Sequence, residues 1–200
     1  MPNEESSDSL YWDGAAGAFD DEPDHGLLQP STREAWRRLL QGHLPPAPAD
    51  VVDLGSGTGT LSLLLAEQGY AVRGVDFSPA MVAASTAKAE AAGRDIPFVV
   101  GDASRPPFEP GSCDVVMCRH VLWALPEPVP ALRRWTRLLR PGGRLLLVEG
   151  RWSTGAGLDA TECTRLVLEC RDEVEVVPLT DPLLWGRQIT DERYLAESVR

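Results

Sequence analysis

Asp53-Leu54-Gly55-Ser56-Gly57-Thr58-Gly59 is the most informative segment of this 200-residue chain. A short run of β-branched and apolar residues, Val51–Leu54, leads into the glycines, and the apolar segment Leu61–Glu67 follows them. Glycines let the backbone bend sharply and come within contact distance of a ligand, which a Cβ would block. The free N–H groups at the start of the following helix face the same point. We therefore predict a strand, a ligand-binding turn and a helix.

The spacing of the glycines separates two kinds of nucleotide-binding turn. The dinucleotide fingerprint is G-x-G-x-x-G, in which a pyrophosphate rests on the helix amino terminus. In this chain Gly59 comes one residue early and gives D-x-G-x-G-x-G, and the turn has no P-loop lysine. The spacing therefore disfavours an NAD-dependent oxidoreductase, which remains the nearest alternative enzyme.

Strands and helices alternate along the rest of the chain. Further strands are predicted at 71–76, 96–100, 114–118, 145–149, 174–179 and 193–199, and helices at 31–41, 61–67, 79–92, 129–139 and 159–171. The first helix opens with Ser31-Thr32-Arg33-Glu34, which matches a capping box. The alternation predicts an α/β protein with a Rossmann-like, doubly wound sheet of seven strands. We expect the sheet to be mostly parallel, with an antiparallel C-terminal hairpin, because no helix is predicted between the last two strands.

Composition limits the classes of partner and cofactor. The net charge is −11, and an acidic protein repels phosphate backbones, so we expect no nucleic-acid partner. No stretch reaches about 18 uninterrupted apolar residues, which predicts no membrane partner. The acidic amino terminus does not resemble a targeting signal, which predicts a cytoplasmic location. The four cysteines form no C-x-x-C pair, so we expect no metal.

Several motifs in the expected order resemble those of class I S-adenosylmethionine (SAM)-dependent methyltransferases of the small, stand-alone type. They are the glycine turn, Asp76 at the end of the second strand, Gly101-Asp102-Ala103 after the third, and Leu139–Leu147 at the fifth. The resemblance covers about residues 11–200. It implies SAM as the cofactor and S-adenosylhomocysteine (SAH) as the product. It also implies methyl transfer to an O, N or C atom of a small-molecule acceptor by in-line displacement. We separately expect a monomer or a homodimer.

The resemblance assigns cofactor-binding roles along the motifs. It places Asp76 on the ribose hydroxyls, Phe77 and Met81 beside the adenine, and Asp102 at the adenine amino group. As alternatives, Asp53 braces the glycine turn, and Phe77 and Met81 are ordinary core residues. The predicted cofactor-binding set is Asp53, Gly55, Ser56, Gly57, Gly59, Asp76, Phe77, Met81, Asp102, Ala103 and Arg119.

The carboxyl end of the fourth strand is the predicted place for chemistry, because ligands of open α/β sheets bind there. His120 titrates near neutral pH and is the leading candidate for a general base, with His25 as a second candidate. The alternative is a structural imidazole bonded to the backbone. In the resembling family this stretch often contacts SAM through backbone atoms, which would make Arg119 and His120 neighbours of the cofactor.

Residues 1–45 are predicted to form an N-terminal lid segment and helix, and residues 46–200 a SAM-binding methyltransferase domain. Residues 1–30 contain eight acidic residues and no Lys or Arg, which favours a cationic acceptor by charge complementarity. The predicted substrate pocket consists of Tyr11, Trp12, Trp123, Arg151 and Trp152. A SAM-binding partner or regulatory subunit without catalytic activity remains the non-enzymatic alternative.

Overall fold

The computed structural model describes residues 4–199, with side chains described from Ser9 onward. Residues 1–3 and 200 of the two predicted domains therefore lie outside the described part of the chain. So do the side chains of three of the eight acidic residues found within residues 1–30. Seven strands form one sheet: β1 (Asp50–Leu54), β2 (Ala71–Asp76), β3 (Phe98–Val100), β4 (Cys113–Arg119), β5 (Leu139–Arg151), β6 (Glu175–Pro178) and β7 (Glu192–Val199). The helices are α1 (Glu4–Ala15), α2 (Pro23–Gly26), α3 (Pro30–His43), α4 (Thr60–Glu67), α5 (Pro79–Ala91), α6 (Pro128–Leu138), α7 (Ala160–Leu168) and α8 (Pro182–Trp185), with single 3₁₀ turns at Phe19–Asp21 and Leu122–Ala124.

The strand order is β3-β2-β1-β4-β5-β7-β6, and β7 runs opposite to the other six strands. This confirms the predicted α/β, Rossmann-like sheet with an antiparallel hairpin at one edge. The order reverses between β1 and β4, where Leu54 pairs with Cys118. In open α/β sheets ligands bind in the crevice at such a switch point. The topology thus brings the glycine turn after β1 next to Arg119 and His120 at the end of β4.

Apolar side chains cover both faces of the sheet. On one face Trp36 and Leu40 of α3 are fully buried against the strands, and Trp36 Nε1 donates to Leu184 O at 2.8 Å. On the other face Trp135 of α6 is fully buried and donates to Ala103 O at 2.7 Å. Both indole donors are satisfied inside the core, as buried polar groups require. Helix α3 belongs to this core, although it lies inside the predicted N-terminal segment.

Three local predictions need correction. The capping box is wrong, because α3 begins at Pro30 with no side-chain cap, and Thr32 is buried instead. Proline suits the first turn of a helix, where its missing N–H costs nothing. The last two strands are separated by the short helix α8, which Asp181 caps by accepting from Leu183 N. Strand β5 begins at Leu139 because that residue already pairs with Cys113.

No helix among residues 4–199 combines the length and the apolar character that a bilayer crossing requires.

Candidate functional site

A cavity of about 1330 Å³ opens at the carboxyl ends of β1 to β5. Pockets for one drug-sized ligand measure roughly 300–1,000 Å³, so this volume exceeds the need of a single ligand. Two groups of residues face each other across it. The glycine-turn side consists of Gly55, Ser56, Gly57, Asp76, Phe77, Met81, Asp102 and Ala103, and the tryptophan side of His120, Trp123, Trp152, Trp185 and Arg193.

The three glycines of the turn adopt φ angles of +69°, +54° and +74°, a region that favours glycine. A Cβ on Gly55 would lie 2.3 Å from Val121 Cγ2, and one on Gly59 would lie 2.7 Å from Ser85 Cβ. Gly59 does not line the cavity. Gly55 and Gly59 are therefore required for packing against other elements. Gly55, Gly57 and Val121 line the cavity, and a Cβ on Gly57 would lie 3.3 Å from Cε1 of Phe19, another lining residue.

The two aspartates near the turn are buried and hydrogen bonded. Asp53 Oδ2 accepts from Ser62 Oγ at 2.5 Å, and burial raises the pKa of Asp53 to about 6. Asp76 accepts from Gly57 N at 2.8 Å and from Ser78 N at 3.0 Å, and burial raises its pKa as well. Asp76 thus joins the end of β2 to the glycine turn. Both residues also line the cavity.

The remaining predicted residues of the glycine-turn side differ in exposure. Phe77 is 38% exposed and Met81 is 1% exposed, so Met81 also contributes to the core. Asp102 accepts from Ser104 N at 2.7 Å and from Ser104 Oγ at 2.6 Å, which fixes the turn after β3. Ser56 Oγ is buried and has no hydrogen-bond partner among the described residues.

Two aspartates that the sequence analysis did not single out attach the amino-terminal segment to this site. Asp13 of α1 accepts from Ser78 Oγ at 2.5 Å and from Ala80 N at 3.1 Å, at the start of α5. Asp20 accepts from Thr58 Oγ1 at 2.6 Å and pairs with Lys88 Nζ at 2.7 Å. Their charges are therefore engaged within the protein.

Aromatic rings enclose the tryptophan side. The ring centre of His120 lies 5.1 Å from that of Trp152 and 6.3 Å from that of Trp185. Trp123 lies 5.3 Å from Trp152, edge to face. His120 has a φ of +59°, and its N–H donates to Val148 O at 2.9 Å. This left-handed backbone conformation turns the chain out of β4 and places the imidazole among the indoles.

The imidazole of His120 lies in positive surroundings, whereas His25 has both Arg119 and Asp24 as neighbours, with Asp24 Oδ2 at 3.7 Å from its Nε2. Burial, and then Arg119, Arg193 and His25, hold the pKa of His120 well below its usual value of 6.5. Burial and Arg119 also lower the pKa of His25, whose ring stacks on Phe19 at 4.2 Å. Nδ1 of each ring is buried without a hydrogen-bond partner among the described residues. Both rings are thus neutral near pH 7.

Arg119 links the fourth strand to the amino-terminal segment. It donates to the backbone oxygen of Asp24, and its guanidinium carbon lies 5.2 Å from the Trp36 ring centre. Burial lowers its pKa. The side chain also lines the cavity, together with Asp24 and His25 of the amino-terminal segment.

Glu149 is a buried residue whose importance the sequence analysis missed. Its Oε1 accepts from Val121 N at 3.1 Å and from Leu122 N at 2.8 Å, and Oε2 has no partner among the described residues. Burial raises the pKa of Glu149 to about 8. The signal in the sequence was one acidic residue at the end of the apolar run Leu145–Val148, at the edge where ligands bind.

Two residues of the predicted substrate pocket do not line the cavity. Tyr11 is 69% exposed and packs edge to face on Trp12, with ring centres 5.2 Å apart. Arg151 is exposed and pairs with Asp159 at 3.4 Å. Trp12, Trp123 and Trp152 do line the cavity.

Within the described residues, no three His, Cys, Asp or Glu side chains gather in a way that could hold a metal ion.

Comparison with known proteins agrees with this geometry. Residues 52–147 match a family model described as a methyltransferase domain. A demethylmenaquinone methyltransferase from Mycolicibacterium gilvum is 32% identical over 190 residues, which cover 94% of this chain and 76% of that protein. The chain belongs to the SAM-dependent methyltransferases. SAM is therefore the cofactor of its family, and a methyltransferase domain contains the glycine turn.

Two further proteins place this methyltransferase among its relatives. A demethylmenaquinone methyltransferase from Beutenbergia cavernae is 38% identical over 140 residues, 67% of this chain and 57% of that protein. The chain thus spans little more than half the length of that relative. The geranyl diphosphate C-methyltransferase from Streptomyces coelicolor, solved with SAH, is 19% identical, with a TM-score of 0.71 over 84% of this chain and 79% of that one. This second likeness shows the shared fold.

Proposed function

We propose that this chain transfers the methyl group of SAM to an O, N or C atom of a small-molecule acceptor. The observation that carries the proposal is one continuous cavity with the glycine turn on one side and a tryptophan-lined space on the other. Its volume suits a cofactor and an acceptor together. A SAM-binding subunit without catalytic activity, which is the alternative, would not require the tryptophan-lined space.

The glycine-turn side fits SAM chemically. Ser56 Oγ is a buried polar atom without a partner among the described residues, as a site for a polar ligand group provides. Asp76 keeps free lone pairs on both oxygens after accepting its two backbone N–H groups, so it can also accept from ribose hydroxyls. Phe77 and Met81 lie beside it for the adenine, and Asp102 and Ala103 follow. In this proposal Asp53 braces the turn through Ser62.

SAM supplies a methyl group on a positively charged sulfur, which becomes a neutral thioether when the methyl group is transferred. The protein's task is to align the acceptor with that group and to exclude water. Alignment of two reactants can supply roughly 7–11 kcal/mol of the barrier. The indoles of Trp123 and Trp152 fix the plane of a flat acceptor, and the amino-terminal segment covers it.

We propose that His120 accepts the proton that the acceptor loses, and His25 remains the second candidate for this role. A neutral imidazole can accept a proton or a hydrogen bond. Arg119 and Arg193 disfavour the charged form of His120, so a proton taken up there is released readily. Arg119, in turn, positions the covering segment through the Asp24 backbone.

We further propose that the amino-terminal segment within residues 1–45 acts as a lid. Trp12, Phe19 and His25 line the cavity from this segment, and Asp13 and Asp20 attach it to the binding turns. Closed lids exclude water and carry specificity. Removal of residues 1–30 is expected to weaken acceptor binding and abolish turnover. Unchanged acceptor affinity and rate in the truncated chain would contradict the lid.

Calorimetry and methyl transfer test the proposed function together. We expect SAM and SAH to bind and NADH not to bind. We expect Asp76→Ala to weaken SAH binding about 10–100-fold, because it removes charge-assisted hydrogen bonding worth roughly 1.5–3 kcal/mol in total. Transfer of labelled methyl to aromatic and amine metabolites distinguishes the enzyme from a silent subunit. Binding of SAM without transfer to any member of that panel would favour the subunit.

A further inference from the structure

Arg193 is a buried cation held between two indole rings on the tryptophan side. Its guanidinium carbon lies 5.0 Å from the ring centre of Trp152 and 5.4 Å from that of Trp185, and its side chain is 8% exposed. It reaches the cavity because β7 runs antiparallel to β5, so that Arg193 pairs with Gly150 near the carboxyl end of β5. Burial of a cation at this place requires a reason beyond packing.

The described residues provide hydrogen-bond acceptors for only some of the N–H groups of this guanidinium. Nη1 donates to Glu192 O at 3.1 Å, and Nη2 donates to Asp191 Oδ2 at 3.1 Å. Nε is buried and has no hydrogen-bond partner among the described residues. A guanidinium carries five N–H donors, and a buried donor without an acceptor is costly. Because Arg193 lines the cavity and only two of its five N–H groups have an acceptor among the described residues, the guanidinium has donors left for an acceptor atom of a ligand.

The electrostatic environment favours a negatively charged ligand. Arg119 and Arg193 both lower the pKa of His120, so the potential at that ring is positive. A positive potential opposes a protonated amine. Two of the acids that suggested a cationic acceptor are used elsewhere, since Asp13 accepts from Ala80 N of α5 and Asp20 pairs with Lys88, whereas Glu22 and Asp24 line the cavity from the amino-terminal segment. Structure and sequence therefore point to acceptors of opposite charge, and the contacts favour the anion.

We propose that Arg193 binds the ionised oxygen of a flat, conjugated acceptor, such as a hydroxyaryl anion, whose ring lies against Trp123 and Trp152. This inference rests on the proposed methyl transfer and names its acceptor class. The hydroxyl proton has passed to solvent when such an anion binds. Its electron pair, shared between the oxygen and a conjugated ring carbon, forms the new bond to the methyl carbon while the C–S pair stays on sulfur. A carbon acceptor then passes its ring proton to the neutral imidazole of His120, and the C–H electron pair restores the aromatic system.

Three probes of similar shape and different charge test this assignment in the full chain saturated with SAH. They are lawsone, a hydroxynaphthoquinone that is anionic at neutral pH, its neutral methyl ether, and the cation naphthylmethylamine. Calorimetry is expected to show lawsone binding about tenfold or more tightly than the ether, as a charge-assisted hydrogen bond provides. The cation is expected to bind most weakly.

Matched variants separate Arg193 from general charge effects. Arg193→Gln is expected to abolish the preference for lawsone over its ether. Arg165→Gln removes the same charge from an exposed site on α7 and leaves the preference intact. Asp191→Asn keeps an acceptor for Ser153 N but removes the counter-charge, so it is expected to strengthen lawsone binding. Arg193→Lys keeps the charge without the planar fork and is expected to be intermediate, should the glutamine variant not fold.

Several outcomes would overturn the acceptor assignment. The first is an unchanged preference for lawsone over its ether in Arg193→Gln, or an unchanged preference in both Arg193→Lys and Asp191→Asn. The second is equal binding of lawsone and the cation by the unaltered chain. The third is that no probe binds while SAH is bound. SAH affinity is measured for every variant. Failure of the unaltered chain to bind SAH would instead reject the proposed function.

Discussion

The carboxylate of Asp20 accepts a hydrogen bond from the hydroxyl of Thr58 at 2.6 Å, although the two residues lie 38 positions apart in the chain. Thr58 belongs to the glycine turn, and Asp20 belongs to the 3₁₀ turn of the amino-terminal segment. The same carboxylate pairs with Lys88 of α5 at 2.7 Å. One side chain therefore ties the covering segment to the two elements that flank the cofactor side of the cavity.

Replacing Asp20 with alanine is expected to weaken SAH binding about three- to thirtyfold, because part of the roughly 1.5–3 kcal/mol of charge-assisted hydrogen bonding that it loses serves to hold the segment over the cofactor side. The segment then no longer holds Phe19 over Gly57. Calorimetry with SAH measures the effect. Asp21→Ala is the matched control, since Asp21 is the exposed neighbour. Equal SAH affinity in both variants would show that the anchor has no role in binding.

Gly57→Ala is expected to reduce SAH affinity by more than its loss of stability explains. The left-handed backbone costs alanine roughly 1–2 kcal/mol, and the new Cβ lies 3.3 Å from Phe19 on the cavity wall. Gly142→Ala is the control, because Gly142 has a φ of +80° with open space around its Cβ position. Both variants should unfold at lower urea concentration. A loss of SAH affinity in Gly142→Ala as large as in Gly57→Ala would refute this explanation.

Glu149 predicts a specific dependence of stability on pH. Its pKa is raised to about 8 in the folded protein from 4.5, so between these values the folded state keeps a proton that the unfolded state loses. The free energy of unfolding therefore falls as pH rises through this window, by up to about 1.4 kcal/mol per pH unit from this group. Below pH 4.5 its full contribution is present.

Urea unfolding of Glu149→Gln across the same window measures this contribution. The variant cannot lose a proton there, so it is expected to gain stability relative to the unaltered chain as pH rises. Glu175→Gln, at an exposed glutamate of β6, serves as control. Parallel pH profiles for the two variants would mean that Glu149 is already ionised in the folded state.

His120 is expected to stay neutral well below pH 6.5, because burial and two arginines oppose its protonation. The unfolded chain takes up that proton first, so this group makes stability fall as pH drops below 6.5. The ring proton shifts of His120, followed by NMR and assigned with His120→Gln, report the midpoint. A midpoint at the ordinary value would contradict the positive surroundings described for this ring.

The sequence predicted the parts of the molecule that local signals determine. Alternating strands and helices gave the sheet, and Ser78-Pro79 marked the start of α5 because a cap and a first-turn proline act within one helical turn. The glycine turn and Asp76 were placed together because the carboxyl ends of β1 and β2 are adjacent. Their roles in binding SAM remain predictions.

Residues that act through distant pairing were not predictable in this way. Arg193 reaches the cavity only because β7 inserts antiparallel beside β5, a register that no local pattern encodes. Trp185 depends on α8, which is too short to produce a helical period. The capping box at Ser31 failed because Pro30 already provided a favourable helix start. Tyr11 failed because its neighbour Trp12 occupies the inward position instead.

The two walls of the cavity come from different stretches of the chain. The glycine-turn side ends with Ala103, whereas the tryptophan side begins at His120 and is completed by Trp185 and Arg193. A crossover between genes of two such proteins, falling after β3, would exchange one wall and leave the other intact. Such an exchange would alter the tryptophan side without rebuilding the part of the domain that contains the glycine turn.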